Sequence, residues 1–480
     1  MTSLNSLEKE LKLRKLFTTL IKKKGYVQDI FYSDLFGFFD ICQTVSLKEI
    51  KTFWKKRIAE VGRDGPRMYL YVHIPFCRRE CNYCFFPKRI DIGESQMEQY
   101  VQFVIREMQS FKKSFKNVQF GSLYLGGGTP SLLTRKQLCL IFQTINAGFA
   151  FDENAERTFE CNPADFSLEK MKLLEGFGIN RISFGIQSLD PEVLRHANRG
   201  YQDHDMIKKI VGDMRRFPGL ERINADLLIG LWNDTPQTVI DSFVKLAELK
   251  FDSICLFPLK PIPRYLKRYF NNNRDLFDRQ LVDKLHSFEK SVIPVAQKFG
   301  YSFTPLDYSA PDKLSWDFVK KTCLSPGQKK LGYVTDDIPY DCLGIGKGCW
   351  SMISHTVCYK NKSLLSFTEE KNKPRESYCA IPLSGPREKF WYVLQRLGDI
   401  DRISLPLYKD WFGTDIRADF KVPLAKLQEL GAIKFTDDVI FLTVKSLEDK
   451  FAHLLFFVDN KTILTEIDKL NAKSWPGNDQ

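Results

Sequence analysis

Tyr71-Val72-His73-Ile74-Pro75-Phe76-Cys77-Arg78-Arg79-Glu80-Cys81-Asn82-Tyr83-Cys84 passes from a strand-like run into a tight loop carrying three cysteines at C-x3-C-x2-C spacing. Thiols gathered on one short loop can hold a metal centre. Structural zinc wants four ligands, commonly on paired C-x2-C knuckles, and a 4Fe-4S cluster normally takes four cysteines. Three cysteines therefore leave one coordination position open, and an open position is where chemistry occurs. The alternative at this point is a zinc loop whose fourth ligand, a Cys or His, lies elsewhere in the chain.

From Leu70 to about Leu259 strand patterns alternate with helix patterns, the signature of a parallel sheet covered by helices. Six strands are expected, at 70–74, 122–125, 157–160, 181–186, 224–229 and 253–257. Met97, Val101, Val104, Ile105 and Met108 recur at helical spacing between the first two. Thr235-Pro236 reads as N-cap and first helical residue ahead of an apolar face made by Val239, Phe243 and Leu246. Six βα units suggest a partial barrel, and barrels of this type place their reactive site at the carboxyl ends of the strands.

The motifs fall at those ends. The cysteine loop follows strand one, Gly126-Gly127-Gly128-Thr129-Pro130 follows strand two, and Glu160-Cys161-Asn162-Pro163 closes strand three. Gln187-Ser188 closes strand four, Asp226 sits in strand five and Pro258 ends strand six. Three successive glycines let backbone groups approach a ligand closely, although alone they could equally make a turn. Glu160 and Asp226 bring carboxylates suited to cationic groups and hydroxyls, and Arg199 brings a planar fork that can take a carboxylate in two bonds. Each has a plainer reading, as a solvated strand-end carboxylate or a surface arginine.

Composition bounds the rest. A length of 480 residues corresponds to about three domains, and 43% hydrophobic with 27% charged residues describes a folding globular chain. The formal charge of +12 could serve a nucleic acid, an anionic substrate or solubility, and no arginine-rich tail or basic-aromatic register selects the first. Twelve cysteines are too sparse for a disulfide scaffold and no secretory apolar region precedes them, so a reducing, cytoplasmic setting is expected, without membrane or nucleic-acid partners. Cys342, Cys349 and Cys358 have wide, irregular spacing and read as incidental or buried thiols.

Taken together, the loop, its Tyr-x-His-Ile-Pro-Phe prefix and the motifs after it resemble the radical S-adenosylmethionine (SAM) superfamily. More narrowly, they resemble the oxygen-independent coproporphyrinogen III oxidase (HemN)-like family with its heme-chaperone and class C methyltransferase branches. The resemblance implies an α/β partial (β/α)6 TIM-like barrel, an N-terminal helical extension and a C-terminal winged-helix-like domain. It implies a 4Fe-4S cluster on Cys77, Cys81 and Cys84, with SAM on the open iron cleaved reductively to a 5'-deoxyadenosyl radical. Tyr71, Gly127 and Glu160 align with contacts to that SAM, Tyr71 and Glu160 being the expected catalytic pair. Tyr83, Gly128, Thr129, Gln187, Arg199, Asp226 and Pro258 align with a group around a second SAM, and a second glycine box, residues 343–351, resembles a distal turn that would bring Trp350 there.

Four parts are expected: an N-terminal helical cover at 1–66, the core at 67–260, a substrate-facing extension at 261–384 and a C-terminal domain at 385–480. The prefix helix, from Leu4 to about Lys24, is expected over the mouth of the barrel. The chain departs from the coproporphyrinogen oxidases at Phe86, where they carry a fourth cysteine, and at Trp232, where relatives place Pro. Asp307-Tyr308-Ser309 and residues 333–341 stand where heme chaperones carry their own signatures. The leading expectation is radical C-methylation or related chemistry on an unsaturated small molecule, with an electron donor such as flavodoxin or ferredoxin. The alternatives are porphyrinogen decarboxylation, heme trafficking and a zinc-loop, winged-helix nucleic-acid binder.

Overall fold

The computed structural model describes residues 2–23, 43–61, 68–86, 88–303, 316–320, 341–361, 377–383, 385–399, 402–444 and 447–471. Asp307-Tyr308-Ser309 and residues 333–340 lie outside them. The chain begins with α1 (Thr2–Lys23), β1 (Gln43–Ser46) and α2 (Leu47–Val61). Strands and helices then alternate: β2 (Met68–Ile74), α3 (Glu94–Lys112), β3 (Gln119–Gly127), α4 (Arg135–Gly148), β4 (Ala150–Cys161) and α5 (Leu168–Gly176). They continue as β5 (Arg181–Gln187), α6 (Pro191–His196), α7 (His204–Met214), β6 (Arg222–Ile229), α8 (Pro236–Glu248) and β7 (Ser253–Pro258). The strands β2 to β7 lie side by side in sequence order and all pair in parallel.

Parallel strands covered on both faces read as continuous apolar runs. These strands do not. Leu70, Val72, Leu123, Leu125, Phe159, Ile182, Phe184, Ile223, Ala225, Ile254 and Leu256 are buried in one core with the apolar faces of the helices. Every second residue points to the other face, and there the register builds rows of polar and aromatic side chains. Tyr71, Tyr124, Thr158 and Arg181 form one row, and Glu160, Ser183, Asn224 and Ser253 the next. A face of this kind suits a polar ligand better than a second layer of helices.

The helix signals in the sequence hold. Thr235 accepts from the Thr238 amide in a capping box, Pro236 opens α8, and Val239, Phe243 and Leu246 are buried. On α3, Val101, Val104, Ile105 and Met108 are buried as the spacing requires, together with Tyr100 and Glu107.

The sheet extends past both edges of the six-strand core. After α9 (Pro263–Phe270) and α10 (Arg274–Lys298), β8 (Tyr301–Phe303) and β9 (Trp316–Lys320) add antiparallel strands beyond β7. Beyond β2 come β10 (Asp341–Ile345), β11 (Trp350–Ile353), β12 (Val357–Asn361) and β13 (Ser377–Pro382), then β1. The described strands make one open thirteen-stranded sheet. The second glycine box is more than a turn: its first part is β10, a seventh parallel strand with Gly344 beside Tyr71. Glu107 anchors it from α3, accepting from the Gly346 amide (2.7 Å), Asn361 Nδ2 (2.9 Å) and the Tyr378 hydroxyl (3.0 Å). From α2, Trp54 Nε1 donates to the Tyr359 hydroxyl (2.6 Å) and Arg57 pairs with Asp341 (2.9 Å).

The chain divides into two compact units. One is the sheet unit, from Thr44 through the described residues to Ala380. The other joins α1 to the described residues from Ile381 onward. It contains α11 (Pro386–Asp399), β14 (Arg402–Ser404), α12 (Leu405–Phe412), α13 (Ile416–Asp419) and α14 (Lys421–Glu429). The hairpin β15 (Ile433–Phe435) and β16 (Val439–Leu442), with β14, forms a three-stranded sheet, and α15 (Leu447–Leu454) and α16 (Asn460–Asn471) complete the unit. Residues 1–66 therefore do not form one cover: α1 belongs to this unit and α2 to the sheet unit. Leu7 and Phe17 of α1 are in the core of this unit, and buried Arg14 donates to Asn460 Oδ1 (2.9 Å) and the Val458 carbonyl (3.0 Å), with Phe456 under its guanidinium. No helix among the described residues is long and apolar enough to cross a membrane.

Gly346 has φ +107°, and a Cβ there would come within 2.7 Å of the Tyr100 hydroxyl and 2.8 Å of the His73 carbonyl. Gly212, inside α7, has nothing within 4 Å. Urea unfolding should show Gly346→Ala destabilised by about 1–3 kcal/mol and Gly212→Ala stabilised by about 0.5–1 kcal/mol. Equal effects at the two sites would contradict the close packing of the second glycine box.

Candidate functional site

The cysteine loop leaves β2 at Pro75 and returns through a short bridge. The Cys77 amide donates to the Arg89 carbonyl (2.9 Å) and the Arg89 amide to the Pro75 carbonyl (2.7 Å), pinning both ends. Between them the loop leans on the segment after α6. Asn82 donates from its amide to Ala197 (3.3 Å) and from Nδ2 to the His196 carbonyl (2.7 Å), while Asn198 Nδ2 donates to the Glu80 carbonyl (2.8 Å). On the outer side Arg264 donates to the Cys81 carbonyl (3.2 Å) and pairs with Glu80 (2.6 Å), and Lys88 donates to the Cys84 carbonyl (3.0 Å).

Cys77, Cys81 and Cys84 are half-buried free thiols. Burial pushes Cys77 up to about 11, against the hydrogen bond that Thr129 donates to its sulfur (3.5 Å), and the neighbouring thiols add to the rise. Cys84 is raised for the same first reason, burial, opposed by Lys88. Thiols held neutral in this way deprotonate when a metal's positive charge arrives.

The donor set fits a cubane: three free thiols stand on one clamped loop, and in a cubane each thiolate takes its own iron. The glycine wall fits as well: a Cβ on Gly126 would strike Glu160 Oε2 at 2.7 Å, on Gly127 the His73 ring at 2.6 Å, and on Gly128 the Phe76 carbonyl at 2.6 Å. Two buried nitrogens beside this wall and the loop, Nε2 of His73 and Nε of Arg199, have no hydrogen-bond partner.

Glu160 ends β4 with Oε1 accepting from the Tyr124 hydroxyl (2.6 Å) and Oε2 from the Gly127 amide (3.0 Å). Burial, reinforced by Asp226 and opposed by those two donors, pushes it up to about 7. Asp226 accepts from Ser183 Oγ (3.1 Å) and Asn224 Nδ2 (2.8 Å). Tyr71 donates to or accepts from His73 Nδ1 (2.9 Å), and burial lowers His73 to about 4, which keeps the ring neutral.

The structure thus brings Tyr71, Gly127, Gly128, Thr129 and Glu160 beside one another around the wall, with Asp226 electrostatically linked to Glu160. Tyr83 is buried, and burial first, then the adjacent Cys81, raises its pKa. Gln187 ends β5 at φ +70°, where the ladder with β6 slips by one residue, and its amide lies over Gly185. Arg199 is buried and committed to the protein: it donates to the Gly185 carbonyl, to Gln202 Oε1 (3.1 Å) and to Cys81 Sγ (3.5 Å). Pro258 is buried at the end of β7, opposite Ile229. Trp350 opens β11, two strands beyond β2, with Lys360 4.7 Å over its ring.

Sequence reasoning missed Arg264, which holds the Cys81 carbonyl from a helix 183 residues away. No local signal marks it. It also missed Tyr124, Ser183 and Asn224, the partners of the two carboxylates, although polar residues at every second position of β5 and β6 were a readable sign.

Comparison with known proteins agrees with this geometry. The Radical SAM superfamily pattern matches residues 71–246. An oxygen-independent coproporphyrinogen III oxidase of Helicobacter pylori (strain ATCC 700392 / 26695) is 30% identical over 378 residues, covering 76% of this chain and 80% of that enzyme. The enzyme of the same description from Escherichia coli K12 is 28% identical over 305 residues, 63% of this chain, and the match spans 65% of the relative's length. The heme chaperone HemW of Haemophilus influenzae is 30% identical over 208 residues, 42% of this chain and 54% of that protein. The crystal structure of Escherichia coli coproporphyrinogen III oxidase (HemN), described as a radical SAM enzyme, superposes with a TM-score of 0.65 at 23% identity, covering 84% of this chain and 92% of that one. That likeness shows the fold, and with the sequence matches it places the chain in the oxygen-independent coproporphyrinogen III oxidase (HemN)-like family of the radical SAM superfamily.

Proposed function

We propose that the protein is an enzyme that binds SAM at a 4Fe-4S cluster on Cys77, Cys81 and Cys84 and directs carbon-centred radical chemistry, C-methylation foremost, to an unsaturated small molecule. One observation carries this reading: three half-buried thiols on a clamped loop face a glycine wall whose backbone is bonded to an ionisable carboxylate. When bound, the cluster and SAM supply one chemistry, the one-electron reductive cleavage of a sulfonium carbon–sulfur bond.

The chain's own residues prepare for it. Thr129 donates to Cys77 sulfur and Arg199 to Cys81 sulfur, and hydrogen bonds and positive charge at cluster sulfurs tune a cluster's potential. Glu160, held at the border of ionisation near neutral pH, can accept from a ligand ammonium while its other contacts hold it against Tyr124 and Gly127. Tyr71 and neutral His73 brace each other behind the wall. Tyr71 and Glu160 are therefore the residues expected to touch SAM.

A second reading is oxidative decarboxylation of a porphyrinogen. The relatives described as coproporphyrinogen oxidases favour it. Anaerobic reconstitution followed by reductant, SAM and candidate substrates separates the two. S-adenosylhomocysteine with 5'-deoxyadenosine marks methyl transfer, and 5'-deoxyadenosine with carbon dioxide marks decarboxylation. A heme-induced Soret shift with neither product would support the trafficking role of the HemW relatives instead. Cys81→Ala should lose the brown iron–sulfur chromophore and all SAM cleavage; retention of both would overturn the cluster assignment.

Glu160 gives a prediction on stability. Its folded-state pKa of about 7 lies above the ordinary 4.5, so between those values the folded protein keeps a proton that the unfolded chain has released. Stability contributed by this group is present below pH 4.5 and is lost as pH rises through about 7. In urea titrations of the ligand-free protein, Glu160→Gln should remove this slope, which amounts to at most about 1.4 kcal/mol per pH unit. Parallel pH profiles for the two proteins would show that the carboxyl is not held as described.

A further inference from the structure

The proposed cleavage consumes one electron per SAM, and that electron has to reach the cysteine loop from outside. The side of the loop turned to solvent is formed with α9. Arg264, Lys267 and Arg268 stand at i, i+3 and i+4 of this helix, on one face, and all three are exposed. Arg264 reaches inward to the Cys81 carbonyl (3.2 Å) and to Glu80. Lys267 and Arg268 have no carboxylate partner among the described residues, and Arg268 lies only over the Tyr269 ring (5.3 Å). Arg79, on the loop itself, is likewise exposed and lies over Tyr201 (5.3 Å) without a carboxylate partner among the described residues. Phe86, two residues after Cys84, is 51% exposed and stacked on Phe85 (4.3 Å), and Lys88 ties its carbonyl (3.4 Å) to Glu80 (3.3 Å), the partner of Arg264.

An apolar anchor with unpaired charges of one sign around it is the composition of a protein-docking face, and the charge selects the partner. We propose that Arg79, Phe86, Lys267 and Arg268 form the docking face for a small, acidic one-electron carrier protein, seated where the Arg264 contact leads to Cys81. The inference rests on the radical SAM reading above. In the step it serves, the reduced carrier loses one electron and is oxidised by one, and the centre held by Cys77, Cys81 and Cys84 gains it; no bond or proton moves. The commitment is to a carrier rather than to substrate because the face surrounds the outer side of the loop, whereas Glu160 and Asp226 lie on the strand face.

The test uses the reconstituted full-length protein and its Lys267→Glu/Arg268→Glu variant, with circular dichroism to verify folding and Lys267→Gln/Arg268→Gln as the milder pair. Turnover is measured with reduced flavodoxin, an acidic carrier, and separately with dithionite, while calorimetry measures flavodoxin binding. Flavodoxin-supported turnover and affinity should fall by about tenfold at 0.01 M salt, where charges act over about 30 Å, with the gap narrowing at 0.15 M, where they act over about 8 Å. Dithionite-supported turnover should not change. A basic patch elsewhere provides the control: Lys48→Glu/Lys51→Glu on α2, beside Lys55 and Lys113, should leave both unchanged. Equal losses with both reductants, an equal loss from the α2 reversal, or no loss of flavodoxin binding would each overturn the proposal. Absence of turnover with dithionite in the unmodified protein would count against the radical SAM reading itself, and calorimetry would still decide the docking face.

Discussion

A loop as short as residues 77–84 cannot satisfy its own backbone, so its donors and acceptors have to be met by other parts of the chain. Here they are met by Arg89, by the main chain at 196–197, and by Asn198, Arg264 and Lys88. Those partners come from the return of the loop itself, the segment after β5 and the helix after β7. The position of three thiols therefore depends on the completed parallel sheet: the partners come together only once β2, β5 and β7 lie in one sheet. The sequence places the cysteines within eight residues of one another, but it is the tertiary fold that holds them in a fixed arrangement.

The polar face of the sheet follows from the same requirement. Placing Glu160 and Asp226 on strands with Arg181, Ser183 and Asn224 costs free energy that a fully apolar interior would not, because buried polar groups must each find partners. The face meets that demand by register. Asn224 donates to Asp226 and Ser183 (2.9 Å) and accepts from Ser253 (2.6 Å), so the carboxylate's neighbours are themselves held. Glu160 is pushed up to about 7 by its burial, which its bonds from Tyr124 and Gly127 only partly offset, with Asp226 adding to the rise. Natural chains concentrate such uncompensated groups where ligands bind.

Much of this was legible in the sequence. Six strands lie where the apolar runs placed them, most of them extended by a few residues at their ends and β4 beginning at Ala150 instead of Arg157, and the Thr235-Pro236 start of α8 is as read. Local signals of that kind depend on period and capping, which a single sequence carries. What was not legible depends on distant pairing. The second glycine box reads as a turn because its strand partner, β2, lies some 270 residues earlier in the chain, and nothing in Leu343 to Ile345 says which edge it will join. The destination of α1 is hidden for the same reason: its apolar face could cover any groove, and its partners, Val458 and Asn460 for Arg14 and Lys426 for Glu10, lie more than 400 residues on. Arg199 is the instructive case among the site residues, since a motif shows that an arginine is present but not that its two terminal nitrogens already bond to Cys81, Gly185 and Gln202 while its Nε is left over.

The +12 charge can be divided in the same way. Cations that are paired do local work: Arg14 fastens α1, Arg57 fastens α2 to Asp341, and Arg222 joins Glu156 (3.2 Å) on the sheet. Others stand together on α9 beside the cysteine loop and on α2 with Lys113. The first of these surfaces makes a direct contact to the cysteine loop, from Arg264 to the Cys81 carbonyl. Excess charge by itself says little beyond solubility and long-range attraction. Charge that stands next to the cysteine loop, with Arg264 on the Cys81 carbonyl and on Glu80, ties the composition of the chain to the loop on which its chemistry is proposed to turn.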